Sequence, residues 1–275
     1  MIKTTIIKLI PQFLMPTANK IYAKLFNKSL PNKITSDQYE QLNCLKPTIA
    51  YNKYGAYCTP NSASHRPAVK TIRLGCIYEP DTIKFIISNC QDGDIIHAGA
   101  FFGDFLPALS AHCHKDAKIW SFEPNSENYH CACITLLLNN INNVVLTNAG
   151  LGAKKQQLLM KTQDKNGISM GGASRIVKHG SIKATGIDSI EVVAIDQTLS
   201  EDRNISILHL DVEGHEKQAL MGAMKTIKRC LPIIILEVFE NRKLLDNQWF
   251  AENILILGYK EKLTIHGNSI FMIQT

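Results

Sequence analysis

The sequence predicts an α/β fold with a mostly parallel sheet that ends in an antiparallel strand. From residue 80 onward, short apolar runs of strand length alternate with stretches of helical periodicity, which is the pattern of consecutive β-α-β units. Near the C-terminus, two strand-like runs are separated only by His266-Gly267-Asn268, a connection of hairpin length. The chain has 275 residues, 45% of them hydrophobic and 20% charged, and this composition is typical of a folded globular protein.

The predicted elements follow these apolar runs. Strands are expected at residues 94–98, 118–122, 144–148, 205–210, 233–238, 254–263 and 269–274. Helices are expected at residues 103–114, 127–139 and 216–229. Residues 154–200 interrupt the alternation with strand-like runs at 157–161 and 190–195 around a loop rich in Gly and Ser, which predicts an insertion beside the sheet.

The N-terminal part of the chain differs in charge from the rest. Residues 1–33 hold six lysines and no acid, so 30 − 6 = 24 basic residues face 24 acidic ones over residues 34–275. A neutral body argues against a nucleic-acid-binding protein, which would carry a basic face on its folded domain. We expect residues 1–76 to form a basic segment and, over 45–75, an irregular cover, and residues 77–275 to form the main domain.

Several sequence features bear on location. Pro11 and Pro16 interrupt the apolar N-terminus and no small-residue cleavage site follows, so a cleaved signal peptide is not expected. No run of 18 apolar residues predicts a membrane-spanning helix. Ile21, Leu25 and nearby lysines fit a helix packed on the domain, or an amphipathic helix on an anionic membrane surface. The eight cysteines form no CxxC pair, as expected for reduced thiols in the cytoplasm.

Candidate ligand-binding residues follow the carboxyl ends of the predicted strands, where open α/β sheets bind their ligands. Gly99 and Gly103 flank the turn after the first strand, and glycine lets the backbone approach a ligand closely, although a simple strand-to-helix turn needs the same residues. The turn lacks GxGxxG spacing, which disfavours a dinucleotide site. Glu123 ends the second strand, where a carboxylate can accept hydrogen bonds from both ribose hydroxyls of an adenosine, or stabilise the start of the next helix.

Blocks of sequence between about residues 77 and 240 occur in a specific order: GDIIHAGAFFGDF, WSFEPNSENY, NNVVLTNAGLG, SMGGAS, VVAIDQTL, LHLDVEGHEKQALMGA and PIIILEV. Together they resemble the FkbM-type S-adenosylmethionine-dependent methyltransferases. The resemblance implies a Rossmann-like class I methyltransferase fold, S-adenosylmethionine as the cofactor, and methyl transfer to an oxygen.

The resemblance also assigns cofactor-binding positions. It implies that the glycine turn holds the methionine end, that an acid after the second strand holds the ribose, and that the end of the third strand lies near the adenine. These positions are His97, Gly99, Ala100, Gly103, Asp104, Glu123, Asn148 and Ala149. Members of the family usually have an aspartate where this chain has His97, and that acid helps hold the methionine amino group. A neutral imidazole can also accept a hydrogen bond from an ammonium group, while Asp104 can supply a negative charge.

Catalysis is expected at residues 210–215, where the fourth strand meets the next helix. A sugar hydroxyl is a poor nucleophile, so methyl transfer needs alignment and a proton acceptor. Asp211 should face the methyl group, and His215 has a reference pKa suited to a general base, although both can instead stabilise the loop and helix start. A metal held by Asp211 and Glu213 would be an alternative, but the sequence shows no clear third ligand, so no metal site is predicted.

The methyl acceptor is expected to be a sugar hydroxyl of a surface glycan or of a related natural product, as the resemblance implies. Candidates for contacts to it are His65, Arg66, Arg175 and His179. Two other function classes stay open: a catalytically silent methyltransferase-fold protein that binds a partner, which the unusual His97 motivates, and a nicotinamide-dependent oxidoreductase, which the glycine turn disfavours. The sequence specifies no oligomeric state.

Overall fold

The computed structural model describes residues 47–177, 186–237 and 244–274. The strands are β1 (Thr48–Asn52), β2 (Gly55–Thr59), β3 (Asp94–Ala98), β4 (Ile119–Phe122), β5 (Val144–Thr147), β6 (Gly150–Leu151), β7 (Gln156–Lys161), β8 (Arg175–Val177), β9 (Ile187–Val193), β10 (Ile205–Leu210), β11 (Ile233–Glu237), β12 (Tyr259–Ile265) and β13 (Asn268–Ile273). The helices are α1 (Pro67–Arg73), α2 (Pro80–Asn89), α3 (Leu106–His112), α4 (Ser126–Leu138), α5 (Ile195–Thr198), α6 (Glu216–Met221), α7 (Met224–Cys230) and α8 (Gln248–Asn253).

The central sheet has seven strands in the order β12-β13-β11-β10-β3-β4-β5. The strands from β11 to β5 are parallel to their neighbours, and β13 is antiparallel to both β11 and β12. All five residues of β3 are buried, because apolar clusters cover both faces of the sheet and leave its central strands no solvent-facing side. This topology confirms the predicted Rossmann-like class I fold with its C-terminal antiparallel strand.

Two elements predicted in the C-terminal half of the chain have different limits in the structure. The single helix predicted at 216–229 is wrong: it is broken at Gly222, where a Cβ atom would lie 2.0 Å from the backbone oxygen of Gly152, and Asp196 accepts hydrogen bonds from Lys225 N and Thr226 N at the start of α7. The strand predicted from residue 254 begins only at Tyr259, because a 3-10 turn at Leu255–Leu257 precedes it.

The segment predicted as an irregular cover is wrong in its local structure. Strands β1 and β2 form an antiparallel hairpin, and α1 follows it. The hairpin packs on α4, where Asn139 accepts a hydrogen bond from Ala56 N and donates one to Ala56 O, and Thr135 Oγ1 accepts one from Cys58 N. The hairpin and α1 therefore lie beside the glycine turn that follows β3.

The segment predicted as an insertion contributes to a sheet separate from the central one. Strands β6, β9, β7 and β8 form a second, four-stranded sheet in that order. A 3-10 turn at Gly171–Ala173 precedes β8 and contacts Phe101 in the glycine turn. The loop of the insertion thus reaches the carboxyl edge of the central sheet.

The location of the N-terminal segment remains a prediction, because residues 1–46 lie outside the described ranges. Within those ranges, no helix is long and apolar enough to cross a bilayer. The cysteines of the described residues form no disulfide bond with one another. They are Cys58, Cys76, Cys90, Cys113, Cys131, Cys133 and Cys230.

Asp94 connects the amino ends of the central strands. Its carboxylate is 1% exposed and accepts hydrogen bonds from Lys118 N at 2.8 Å, Trp120 Nε1 at 2.7 Å and Arg203 Nε at 2.7 Å. Arg203 Nη2 also pairs with it, which makes the ion pair bidentate. One buried carboxylate therefore joins β3, β4 and the connection before β10.

Replacing Asp94 with alanine should lower the free energy of unfolding by about 3 to 5 kcal/mol, because it leaves a partly buried guanidinium and two donors unpaired. Urea denaturation of the variant measures this. Asp92→Ala, which removes an exposed acid two residues away, is the control and should change stability by less than about 0.5 kcal/mol. Equal midpoints for the two variants would contradict the role given to Asp94.

Candidate functional site

The candidate site lies where β3 and β10 end side by side. Asp211 N donates to Ala98 O at 3.1 Å, and Gly99 follows with a φ of 86°. A Cβ atom at position 99 would lie 2.0 Å from Asp211 O. Only glycine fits this close approach in a left-handed conformation. The glycine turn and the 210–215 segment, which the sequence singled out separately, are therefore in direct contact.

Two adjoining cavities open at this edge of the sheet. The first cavity is lined by Arg66, Tyr78, His97, His209 and six acids, which are Glu79, Asp104, Glu123, Asp211, Glu213 and Glu237. The second cavity is lined mainly by apolar groups, among them Phe122, Ala149, Leu151, Met160 and Ile176. Both cavities share Gly99, Glu123, Gly172, Asp211 and Glu213. They form one cleft with a charged half and an apolar half.

Glu123 lies where the two halves meet. Its Oε2 accepts a hydrogen bond from Phe101 N at 2.8 Å, and its Oε1 accepts from Asn125 N at 2.8 Å and from Asn128 Nδ2. These bonds fix the carboxylate and leave lone pairs on both oxygens for further donors. Burial raises the pKa of Glu123 to about 8, while the donors oppose that shift. The position suits an acceptor for two ribose hydroxyls.

His97 lies in the first cavity next to His209. The Nδ1 atoms of the two rings are 2.9 Å apart, both residues are 2% exposed, and the two rings stack on each other and on Phe105. Burial lowers the pKa of His97 well below its ordinary value and that of His209 to about 4. The Nε2 atom of His97 has no hydrogen-bond partner among the described residues. A buried polar atom in this state fits a ligand donor.

Asp104 lies in the same cavity and is 7% exposed. Burial raises its pKa to about 7, Glu79 adds to that rise, and the backbone N–H groups of Asp104 and Phe105 oppose it. A cationic ligand group would favour the ionised form. The structure thus places Asp104 and His97 in one cavity.

Three carboxyl groups that line the first cavity lie close together. Asp211, Glu213 and Glu237 have carboxylate oxygens that all lie within 4.8 Å of one another. Burial raises the pKa of Asp211, and the charge and hydrogen bond of Glu237 add to the rise. Burial and Glu237 likewise raise the pKa of Glu213 to about 7, against the charges of Arg66 and Arg175.

Glu237 corrects the statement that the chain offers no third ligand beside Asp211 and Glu213. It ends β11 as Glu123 ends β4, so the rule that identified Glu123 identifies Glu237 as well. Three carboxylates this close can share protons or bind a cation. Glu237 is not among the residues predicted for the site, because it lies outside the 210–215 segment.

His215 lies on the other side of the cleft. It lines the second cavity with Ala149 and Leu151, and its Nε2 is buried without a hydrogen-bond partner among the described residues. Burial lowers its pKa. Its contact with the position of Gly152 places it against the insertion. The structure therefore brings His215 to the apolar half of the cleft, apart from the first cavity.

The other residues predicted for the cofactor site are Ala100, Gly103, Asn148 and Ala149. Gly103, with a φ of 82°, packs on α4, and Ala100 N donates to Phe122 O; neither is among the described residues that line the cleft. Asn148 is exposed, and its Nδ2 donates to Glu123 O at 2.8 Å, which positions the end of β4. Ala149 lines the second cavity.

Two residues that line the cleft are not among those predicted as ligand contacts. Phe101 has a φ of 46°, and its ring covers Gly171 and Gly172 of the insertion loop. Glu79 enters the first cavity from the start of α2. Of the substrate candidates, Arg66 lines the first cavity, Arg175 acts electrostatically on Glu213, and His65 is exposed. His179 lies outside the described residues.

The chain is similar to a family model and to solved structures. The family model described as the methyltransferase FkbM domain matches residues 97–258, which is more than half of the chain. The structure is similar to an FkbM methyltransferase from Methylobacillus flagellatus KT, at 18% identity and a TM-score of 0.48, over 66% of this chain and 43% of that chain. It is also similar to a SAM-dependent methyltransferase from Aquifex aeolicus, at 10% identity and a TM-score of 0.41, over 75% of this chain and 91% of that one. No curated protein matches the sequence.

The carboxyl cluster predicts a pH dependence of stability. Glu213 binds its proton more tightly in the folded chain, where its pKa is about 7, than in the unfolded chain, where it is near 4.5. Stability that is fully present below pH 4.5 is therefore lost as the pH rises to 7. Glu213→Gln should remove on the order of 1 kcal/mol of that loss, allowing for solvent screening, in urea titrations at pH 5 and 7.5.

The control for this experiment is Glu201→Gln, which neutralises an exposed acid away from the cleft. The free energy of unfolding of this variant should depend on pH as steeply as that of the wild-type chain. A slope that is the same for all three proteins would show that Glu213 is not a source of the dependence.

Proposed function

The chain belongs to the FkbM family of S-adenosylmethionine-dependent methyltransferases, and from this we propose that it methylates a hydroxyl oxygen of a sugar, in a surface glycan or a related natural product. The observation that carries the proposal is the single cleft in which Glu123 separates an apolar half from an acidic half. The chain spans 43% of the length of the FkbM methyltransferase from Methylobacillus flagellatus KT.

The cleft fits the cofactor in two parts. The apolar walls of the second cavity suit an adenine ring, and Glu123 at its edge suits the ribose hydroxyls. In the first cavity, His97 offers a buried acceptor without a partner, and Asp104 offers a carboxylate. A ligand that carries a sulfonium and an ammonium group gains favourable charge interactions with such an acidic cavity.

The residues of the first cavity also suit the acceptor side of the reaction. S-adenosylmethionine, when bound, supplies a methyl group on a positively charged sulfur. Asp211 would align the acceptor hydroxyl, because it contacts the glycine turn directly and belongs to both cavities. A carboxylate of the cluster would accept the hydroxyl proton, and the pKa of Glu213 near 7 suits a general base at neutral pH.

His215 remains a candidate for the base, but its position favours another role. It borders the proposed adenine half of the cleft, and desolvation lowers its pKa. We therefore propose Asp211 with Glu213 and Glu237 as the groups next to the acceptor, and His215 as a wall of the adenosine site. A divalent cation on the three carboxylates is the competing mechanism, since it would lower the pKa of a hydroxyl bound to it.

Glu123→Ala should weaken the binding of S-adenosylhomocysteine about ten- to a hundredfold, because it removes a charge-assisted acceptor worth roughly 1.5 to 3 kcal/mol. Isothermal titration calorimetry measures the change. Glu127→Ala, which removes a partly buried acid at the start of α4 that is not among the residues lining either cavity, is the control. Unchanged affinity in a folded Glu123→Ala protein would refute the ribose role.

Asp211→Asn should reduce turnover roughly a hundredfold or more, because it removes a carboxylate from the proposed acceptor site. His215→Ala should act mainly through weaker binding of the adenosine part. Activity in EDTA separates the two mechanisms: it should persist if the carboxylates act as base. Loss in EDTA with rescue by a divalent cation would instead establish metal assistance, and a hundredfold loss of turnover in His215→Ala without loss of affinity would restore His215 as base.

The remaining proposals concern the ends of the chain and its surroundings. We propose a cytoplasmic protein divided near residue 76 into an N-terminal part and the methyltransferase domain. Its six N-terminal lysines should hold it at anionic membranes, since each is worth about 1 kcal/mol near such a surface at low salt. Co-sedimentation with phosphatidylserine vesicles should weaken with salt and on deletion of residues 1–30. Equal partitioning with and without these residues would end the idea.

A further inference from the structure

We infer that His209 holds His97 in one tautomer, so that His97 Nε2 is a standing hydrogen-bond acceptor for the ammonium group of the cofactor's methionine part. The inference deepens the proposed function and rests on it. It makes His209 a positioning residue, because its effect passes through His97. It also explains how a site can hold an amino group with an imidazole at this position.

The pair is a consequence of the sheet. His97 on β3 and His209 on β10 are partners in the parallel register of these strands. Both side chains point to the same face of the sheet as Ile95 and Ile207, two residues earlier, because side chains alternate along a strand. Two imidazoles that are 112 residues apart in sequence are thereby stacked at 4.9 Å between ring centroids.

The charge state of the pair follows from its burial. At 2.9 Å the two Nδ1 atoms form a hydrogen bond, which requires one of them to carry a proton and the other to be bare. Burial keeps both rings neutral near pH 7, because it lowers both pKa values below that range. Each ring then has one proton, and the Nδ1 contact couples the two tautomers: if one Nε2 is bare, the other is protonated.

Asn268 decides which of the two arrangements is present. Its Nδ2 donates to Glu79 Oε2 at 3.0 Å, so its Oδ1 is directed elsewhere. That Oδ1 and His209 Nε2 are both buried, and neither has a hydrogen-bond partner among the described residues, while the side chain of Asn268 favours the protonated form of His209. A proton on His209 Nε2 would give this oxygen a donor to pair with. His209 Nδ1 is then bare and accepts from His97 Nδ1–H, which leaves His97 Nε2 bare.

The result is a directed chain from Glu79 through Asn268 and His209 to His97. Its last atom, His97 Nε2, is an acceptor in the first cavity, where Asp104 supplies a carboxylate. An ammonium group has three donors and can use both. His97 would fix the orientation of the amino group, whereas Asp104 would match its charge. The site should therefore distinguish ligands that carry the amino acid part from ligands that lack it.

Two ligands and two pairs of variants test this. S-adenosylhomocysteine carries the amino acid part, and 5′-methylthioadenosine lacks it. His97→Leu should weaken S-adenosylhomocysteine about tenfold or more and 5′-methylthioadenosine by less than about twofold, while His97→Gln keeps an acceptor and most of the affinity. His209→Leu should also weaken only S-adenosylhomocysteine, and His209→Asn, whose Oδ1 can accept from His97 Nδ1, should restore it. His114→Ala, an exposed histidine outside the cleft lining, is the control.

The tautomer itself is read without ligand from two-bond ¹H–¹⁵N correlations of the imidazole rings in the wild-type chain. The expected spectrum has His97 protonated at Nδ1 and His209 protonated at Nε2. The opposite pattern, an equal loss of both ligands in His97→Leu, or identical affinities for His209→Asn and His209→Leu would overturn the inference. If the wild-type chain binds neither ligand, the proposed function fails and the ligand role of His97 fails with it, whereas binding of both with no preference overturns the inference alone.

Discussion

The close approach of Gly99 to Asp211 is the constraint on which the site depends. It joins the end of β3 to the end of β10 with no room for a Cβ atom, so the two loops that follow these strands form one surface. From this contact, β3 directs the glycine turn and Phe101 toward Glu123, while β10 directs Asp211 and Glu213 toward the same cleft. Parallel strands bring their carboxyl ends to one edge, and this contact makes that edge continuous.

The acids of the cleft are an electrostatic cost that a cation can offset. Raised pKa values at Asp104, Glu123, Asp211 and Glu213 show that burial and mutual repulsion both act against ionisation. An arginine at the rim, Arg66, offsets part of it. A ligand that brings positive charge into the cavity would lower these pKa values, so binding and proton release are coupled by the same interactions. The cleft is thus less stable empty than it would be around a cation.

Much of this arrangement follows from patterns within single elements. The limits of β3 and β10 agree with the apolar runs, since buried central strands are mostly apolar, and Glu123 is recognisable in the sequence as an acid after a strand. What the sequence does not show depends on contacts between distant segments. The break at Gly222 arises from the backbone of Gly152, and the hairpin before α1 is ordered by Asn139 on α4. The spacing of apolar residues within 216–229 or within 45–75 does not indicate these contacts.

The histidine pair shows the same limit at the level of chemistry. In the sequence, His97 by itself indicates the loss of an acid, and His209 by itself is only a polar residue in a buried strand. Only the register between β3 and β10 makes them partners, and only Asn268 on β13 gives the partnership a direction. A substitution that removes an acidic ligand contact on β3 can therefore be compensated from the adjacent strand β10 and from β13, three strands away. The parallel sheet sets the distance between the two imidazoles. A chain of hydrogen bonds between neutral groups then orients the ligand contact, in place of a charged side chain.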